Sequence, residues 1–282
     1  MKNNELSLVE IQKEMLNTAI KIDEICSELN IKYTLSFGSL LGAIRHNGFI
    51  PWDDDLDIWM TKSDLDVFAE YCEKNAEKIK PFKLCTRKNV NNYTYNIPRF
   101  ANFDYKYVNT DSHQAMFDIG IFVDIYPIDG YGNSKETVNK MAHESKKLNC
   151  LYDIYINPNS RTSFINTIVK KCISFVLHLI YKDKYYLIQE KKFDKLISKY
   201  SSNDSKYVGS VRWEPGVPIL HKRSDIFDEN GQFNVIRHKF ENVELYILKN
   251  YDVTLRKSYG DYMCLPPEDQ RNPHHDYKVY KR

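Results

Sequence analysis

Four aspartates between positions 53 and 57 have the types and spacing that could do chemistry. They lead into residues 55–60, where acidic and apolar side chains alternate as in a half-buried strand. Successive strand residues point to opposite faces, so Asp55 and Asp57 are expected on one face, where their carboxylates repel one another. A divalent cation between them relieves that repulsion, and oxygen ligands favour Mg²⁺ or Mn²⁺. The alternative, a solvated acidic turn, is less favoured because an apolar strand follows.

Gly38 and Ser39 stand where a predicted strand gives way to a predicted helix. Glycine lets the backbone approach a ligand closely, and the free amides at a helix start favour phosphate. Alone, this pair is typical of a plain turn. Followed by Asp55 and Asp57, it resembles the phosphate cradle and metal site of the nucleotidyltransferase superfamily, of the DNA polymerase β type.

That resemblance implies a third carboxylate from a neighbouring strand. Asp124 is the best candidate, because it lies in the middle of the apolar segment 119–126 and an acid buried there needs a partner. Asp118 and Asp129 are the alternatives.

The elements that must position these residues follow from periodicity and capping signals. Ser7 and Glu10 form a predicted capping box for a first amphipathic helix. Strands are predicted at 32–37, 55–60, 82–86, 93–100, 119–126 and 243–248. Further helices are predicted at 38–44, from caps at Ser63 and Asp66 to about 76, from Asn133 to about 151, throughout 161–200, and up to Tyr259-Gly260. These elements predict a mixed α/β (α+β) fold, with a mixed central sheet flanked by helices.

Length and composition bound the possible functions. A chain of 282 residues without an internal repeat or Gly/Ser linker is expected to form a single domain, 1–282, with a helical insertion at 135–200. A net charge of +2 argues against a nucleic-acid partner. No secretory signal or spanning segment is recognised, so a cytoplasmic location is expected. The six scattered cysteines lack metal-ligand spacing and are expected to be buried, reduced thiols.

Three ordered motifs resemble the LicD family of phosphotransferases. The first is GSLLGAIRHNGFIPWDDDLDI from Gly38, the second is DIYPIDG from Asp124, and the third is YGDYMCLPPEDQR from Tyr259, with His274 and His275 beyond it. The resemblance covers most of the chain. It implies a DNA polymerase β-like nucleotidyltransferase core with helical C-terminal additions. It also implies transfer of a phosphocholine-like group from a CDP-linked donor to a sugar hydroxyl of teichoic acid, lipopolysaccharide or capsule, with release of CMP.

The resemblance also implies roles for individual residues. Asp55, Asp57 and Asp124 would be the catalytic residues and would hold Mg²⁺, with Mn²⁺ as the alternative, while Asp53 or Asp124 would act as the base. The residues expected to bind the donor are Gly38, Ser39, Arg45, His46, Trp52 and Arg271. For Trp52, apolar packing is the alternative to stacking on a base or enclosing a trimethylammonium group.

Three other functions use some of the same residues. A nucleotidyltransferase that transfers NMP from an NTP shares Gly-Ser and Asp-x-Asp, but lacks the Arg-His…Pro-Trp stretch and the Tyr-Gly-Asp-Tyr motif. A glycosyltransferase also uses Asp-x-Asp, but usually begins with a nucleotide-binding βαβ unit. A non-catalytic glycan-binding module predicts a broken set of acids, whereas all three acids are present here.

The apolar segment 172–181, with basic residues around it over 161–184, suggests a partner surface. It is too short to span a bilayer but suits a helix lying at a membrane interface, where a lipid-linked glycan acceptor would be found. A buried core helix is the favoured interpretation of the same pattern.

Overall fold

The computed structural model describes residues 5–90, 93, 95–109, 118–156, 164–213, 220–273 and 277–282. The strands are β1 (Tyr33–Leu35), β2 (Asp57–Thr61), β3 (Phe82–Cys85), β4 (Arg99–Asn102), β5 (Tyr105–Asn109), β6 (Ile121–Gly132), β7 (Tyr207–Gly209), β8 (His221–Lys222), β9 (Val235–Phe240), β10 (Val243–Leu248) and β11 (Tyr277–Lys281). The helices are α1 (Leu8–Leu29), α2 (Phe37–His46), α3 (Lys62–Lys74), α4 (Lys135–Ile156), α5 (Phe164–Tyr181), α6 (Tyr185–Ile197), α7 (Arg223–Ile226) and α8 (Tyr251–Tyr259).

The principal sheet is mixed. Its strand order is β1–β2–β6–β4–β3, and β7 and β8 extend it from the far end of β6. The central pair, β2 and β6, is parallel, and the other pairs are antiparallel. Two further antiparallel pairs, β9 with β10 and β5 with β11, lie outside this sheet. The predicted mixed α/β class is confirmed.

The two central strands are buried along their whole length. All 12 residues of β6 and all five of β2 are buried. A strand covered on both faces requires a nearly continuous apolar run, and this explains why 119–126 was recognisable from sequence. An acid on such a strand is therefore held rigidly and away from water.

Helix α1 forms as its sequence predicts. Ser7 Oγ accepts a hydrogen bond from the Glu10 backbone N–H, and the Glu10 carboxylate accepts one from the Ser7 N–H at 2.8 Å, which completes the capping box. The helix buries a stripe of apolar residues, including Ile11, Met15 and Ile22, against the sheet. It ends at Asn30, whose left-handed backbone (φ 52°) halts the helix.

The segments around the acids differ from their predicted boundaries. The strand predicted at 32–37 is shorter, because Phe37 already starts α2. The strand predicted at 55–60 begins only at Asp57, so Asp55 lies in the loop before it. Helix α3 is capped by Thr61, whose side chain accepts from the Asp64 N–H at 3.0 Å, and the prediction of Ser63 and Asp66 as caps is wrong.

The predicted helical region 161–200 forms two helices, α5 and α6, joined by a 3-10 turn at Lys182–Lys184; residues 157–163 lie outside the described residues. The favoured interpretation of 172–181 as a buried core helix is wrong. Phe175 and Leu179 are each 70% exposed, and several apolar neighbours are also exposed. Among the described residues, no helix has the length and apolar character needed to cross a membrane.

The cysteines carry free thiols, as predicted. Cys26, Cys72 and Cys85 are buried, whereas Cys150, Cys172 and Cys264 are exposed, so the expectation of burial holds for the first three and is wrong for the others.

Candidate active site

The centre of the candidate site is the point where β2 and β6 bring two carboxylates side by side. Asp57, the first residue of β2, lies directly opposite Asp124 in the parallel register of the two strands. Both residues are only 6% exposed. Asp57 and Asp124 therefore lie on neighbouring strands, as predicted.

Two hydrogen bonds join the start of α2 to the start of β2. The buried Ser39 Oγ accepts a hydrogen bond from the Asp57 N–H at 2.9 Å, and the Ser36 N–H donates to the Asp57 carbonyl at 3.0 Å. Between them, Phe37 adopts a left-handed backbone (φ 46°), which is strained for a bulky residue. Ser39 thus positions Asp57, whereas the sequence predicted that Ser39 binds a donor phosphate.

The loop before β2 adds three acids. Asp53, Asp54 and Asp55 each offer one carboxylate oxygen, and these three oxygens lie within 4.8 Å of one another. A Cβ atom added to Gly38 would lie 2.7 Å from Asp53 Oδ2, so a side chain at position 38 would displace that carboxylate. The group that approaches Gly38 in the structure is therefore an aspartate, whereas the sequence predicted a ligand phosphate there.

The electrostatics of Asp57 suit a cation. Among the described residues, Asp57 Oδ1 is buried and has no hydrogen-bond partner. Burial raises the pKa of Asp57 well above its usual value, and the nearby charges of Asp55, Asp124 and Asp53 raise it further. A divalent cation would supply the missing partner and reverse this penalty, and a donor set made only of carboxylate oxygens suits Mg²⁺. The chemistry of these residues fits a divalent cation, although the group of three acids whose oxygens lie within 4.8 Å of one another is Asp53, Asp54 and Asp55 and not the predicted Asp55, Asp57 and Asp124.

Asp124 has a partner that the sequence analysis missed. Arg99, on the adjacent strand β4, donates from Nε to Asp124 Oδ1 at 2.6 Å and from Nη2 to Oδ2 at 3.3 Å. The Arg99 guanidinium lies 3.5 Å from the Tyr95 ring centroid and 3.8 Å from that of Phe122, so it is held between two aromatic rings. This pair fixes the orientation of the Asp124 carboxylate.

The two alternative third acids lie elsewhere. Asp118 is on the surface and pairs with Arg282 at 2.5 Å. Asp129 is in the far half of β6, opposite Gly209, and is 2% exposed. Of the three candidates, Asp124 is the one that the sheet places opposite Asp57.

Asp129 carries a pH-dependent effect on stability. Burial raises its pKa to about 7, although the charge of Arg212 opposes this shift. Because the folded state keeps a proton that the unfolded chain releases, Asp129 lowers the stability progressively between about pH 4 and pH 7. We expect Asp129→Asn to gain stability relative to the parent over this range and to keep that gain above pH 7. Urea unfolding at several pH values measures this, with the exposed Asp204→Asn as control. Parallel curves for Asp129→Asn and the parent would contradict it.

A second cluster lies at the end of α2, where four predicted donor-binding residues meet. The Arg45 guanidinium donates from Nε to His46 Nε2 at 3.0 Å and from Nη1 to the Tyr262 carbonyl, also at 3.0 Å. His46 contacts Trp52 edge to face, with 6.2 Å between ring centroids, and the Arg271 guanidinium lies 5.7 Å from the Trp52 ring. Arg45 thus holds the third sequence motif against α2. His274 and His275 lie outside the described residues.

Two tyrosines beside the acids were not selected from the sequence. Desolvation of its hydroxyl raises the pKa of Tyr259, and the charges of Asp57, Asp53 and Asp55 raise it further, although the residue as a whole is 43% exposed. The Tyr277 hydroxyl donates to the Asp54 carbonyl at 2.5 Å. Tyr259 begins the third motif, so that motif did contain the signal, but Tyr277 could not be distinguished among 21 tyrosines.

The contact between Ser39 and Asp57 is open to a direct test. We expect Ser39→Ala to lower the free energy of unfolding by about 1–3 kcal/mol, because it leaves the buried Asp57 N–H without its acceptor. Chemical denaturation measures this, and Ser198→Ala, at an exposed serine hydroxyl, is the matched control. Equal losses in the two variants would show that the contact contributes nothing specific.

A separate cavity of about 1400 Å³ lies beside α3 and α6. Its walls include Arg87, Glu190 and Arg212, and none of the predicted site residues lines it. It approaches the acids at Tyr95, whose ring contacts Arg99.

Comparisons with known proteins match the segments that build this site. The model of the family described as the LicD/FKTN/FKRP nucleotidyltransferase domain matches residues 30–170, half of the chain, and this span contains Gly38, the acids of both central strands and Arg99. The lipopolysaccharide cholinephosphotransferase LicD of Haemophilus influenzae is 28% identical over 277 residues, which cover 98% of each chain.

Two shorter similarities add no function. Uncharacterized proteins of Rickettsia prowazekii and Rickettsia typhi are each 44% identical over 59 residues, about a fifth of this chain. The family model and the full-length relative cover the segments that build the site, and on that basis the chain belongs to the LicD family.

Proposed function

We propose that the protein transfers a phosphocholine-like group from a CDP-linked donor to a sugar hydroxyl of a bacterial surface glycan, and that the site functions with Mg²⁺ or Mn²⁺. The observation that carries the proposal is the meeting of Asp57 and Asp124 on adjacent parallel strands, with Asp53, Asp54 and Asp55 beside them. The full-length similarity to a lipopolysaccharide cholinephosphotransferase supports phosphocholine as the group and lipopolysaccharide as the acceptor class. Teichoic acid and capsule are the other acceptors proposed.

The proposed metal ligands are Asp55, Asp57 and Asp124. Support comes from the unpaired Oδ1 of Asp57 and from its pKa, which burial and then the neighbouring acids raise. When bound, the cation would neutralise the charge that develops on the diphosphate. This set of acids on and beside two adjacent strands is also the basis of our proposal that the core is of the DNA polymerase β type.

The proposed donor site runs from the start of α2 to the third motif. Gly38 and Ser39, with their backbone amides, would face a donor phosphate, and Arg45 and His46 would support the third motif behind it. Because the Arg271 cation already lies over the Trp52 ring, that ring face is poorly suited to a second cation. We therefore propose that Trp52 and Arg271 bind the nucleotide diphosphate part of the donor. The trimethylammonium group is then expected to lie elsewhere.

The proposed reaction is an in-line displacement at phosphorus. The acceptor oxygen forms a bond to the phosphorus that carries choline, and the bond from that phosphorus to the bridging oxygen breaks. CMP leaves with the electron pair, and the proton of the acceptor hydroxyl passes to a carboxylate. The proposed proton acceptor is Asp53 or Asp124.

We further propose that the reaction takes place in the cytoplasm. Six free cysteines are typical of a reducing compartment, and a nucleotide-activated donor is consistent with that location.

The decisive experiment measures CMP release from CDP-choline, CDP-ethanolamine and CDP-glycerol, with Mg²⁺ and with EDTA, over a panel of glycan acceptors. We expect Mg²⁺-dependent CMP release that matches the amount of phosphodiester product. Silence with every donor, together with pyrophosphate release from a nucleoside triphosphate, would overturn the proposal in favour of a nucleotidyltransferase.

A further inference from the structure

The apolar face of helix α5 is exposed. Six of its large apolar residues are exposed, from 47% at Val176 to 70% at Phe175 and Leu179; the other three are Ile168, Val169 and Ile180. Leu187, on the neighbouring α6, is also 38% exposed. Isolated exposed apolar residues are ordinary, but a contiguous helical face of them marks an interaction surface.

The inner side of α5 is held by polar and aromatic contacts. Ser174 is buried and its hydroxyl donates to the Tyr155 carbonyl at 3.3 Å, while the His178 ring stacks on that of Tyr155 with 4.1 Å between centroids. At the end of the helix, the Tyr155 hydroxyl donates to the Lys182 carbonyl at 2.6 Å. These contacts fix the rotation of α5 about its axis, so the apolar face cannot turn inward without breaking them.

The charges within α5 and the turn that follows it have one predominant sign. Residues 164–184 contain four lysines and one acid, Asp183. Lys171, Lys182 and Lys184 are exposed. An anionic surface complements this arrangement, whereas a second copy of the same face would bring like charges together about a twofold axis.

We propose that α5 docks on the surface of a bilayer rich in anionic lipid, with its axis parallel to the membrane plane. Its 18 residues span roughly 27 Å, at 1.5 Å per residue. The exposed apolar side chains would enter the boundary between headgroups and acyl chains, and the lysines would contact anionic headgroups. This attachment goes beyond the proposed transfer reaction and does not depend on it.

Flotation of the purified chain with lipid vesicles tests the proposal without any transfer assay. Vesicles of phosphatidylcholine alone are compared with vesicles that also contain phosphatidylglycerol, at low and high salt. We expect the chain to float with the anionic vesicles, and we expect binding to weaken as salt is added. The variant Phe175→Ser/Leu179→Ser is expected to lower the partition coefficient by roughly tenfold or more, because it removes two apolar side chains from the interface.

The matched control is Val9→Ser, at a residue that is 74% exposed on α1, away from this face. The three proteins are first compared by circular dichroism, and exposed positions are expected to tolerate these changes. Equal binding to neutral and anionic vesicles, or equal loss in the control, would overturn the proposal. So would a dimer in light scattering that the double variant converts to monomer, since the face would then be a contact between copies of the chain.

Discussion

We expect Asp57→Asn to lower the proposed transfer rate by roughly 10²–10³-fold or more, the order observed when a group that stabilises transition-state charge is removed. The same variant is expected to be as stable as the parent protein or more stable in EDTA. Asparagine carries no charge at a position where burial, and then the charges of Asp55, Asp124 and Asp53, raise the pKa of the carboxylate. A loss of activity without a loss of stability distinguishes a functional acid from a structural one.

Thermal unfolding with and without Mg²⁺ completes this experiment. Binding to the folded state alone raises the melting temperature, so the parent is expected to shift upward with Mg²⁺ and Asp57→Asn to shift much less. The exposed Asp204→Asn is the control and should behave as the parent does. An unchanged Mg²⁺ shift in Asp57→Asn would remove Asp57 from the set of proposed ligands, and full activity would remove it from the site.

The second large effect concerns the buried pair on β4 and β6. We expect Arg99→Leu to lower the free energy of unfolding by roughly 3–5 kcal/mol, because it leaves the buried Asp124 without its cation. Chemical denaturation measures the loss. The control is Arg256→Leu, which breaks an exposed Arg–Asp pair of similar separation, 2.8 Å against 2.6 Å, and is expected to cost far less because solvent screens that pair.

A double substitution separates stability from function at this pair. Arg99→Leu/Asp124→Leu removes both charges, and replacing a buried pair by apolar residues is often neutral, so most of the lost stability is expected to return. Activity is expected to stay lost, because Asp124 is a proposed ligand. A double variant as unstable as Arg99→Leu would show that the pair is not what determines the loss, and an active double variant would exclude Asp124 from the chemistry.

Local signals in the sequence were sufficient to predict the strands that carry the acids. The apolar run around Asp124 predicted a buried strand, and alternation predicted a strand at 55–60, which forms but begins only at Asp57. The placement of Asp124 on a strand beside Asp57 was expected only through the resemblance to the nucleotidyltransferase superfamily, and their direct opposition was not predicted. Parallel pairing joins residues 67 positions apart in the register of β2 and β6, and no local propensity encodes it.

Other features depended on the tertiary structure. Arg99 lies in a predicted strand, but its pairing with Asp124 and its aromatic neighbours appear only when β4 is placed beside β6. Strand β9 was missed because Arg237, His238 and Lys239 interrupt its apolar pattern. For α5, hydrophobicity predicted a helix but could not tell whether its apolar side faces a core or the outside, since periodicity is the same in both cases.

The hydrogen bond from Tyr277 to Asp54 joins distant parts of the chain, and this determines when it can form during synthesis. The two residues are 223 positions apart, so a chain synthesised at about 5–20 residues per second has Asp54 in place roughly 11 to 45 seconds before Tyr277 emerges. During that interval the acidic loop lacks the hydroxyl that anchors its backbone, and β5 lacks its partner strand β11. The hydrogen bond that anchors the acidic loop therefore forms only late in translation, and a nascent chain halted before residue 277 lacks both this bond and the β5–β11 pair.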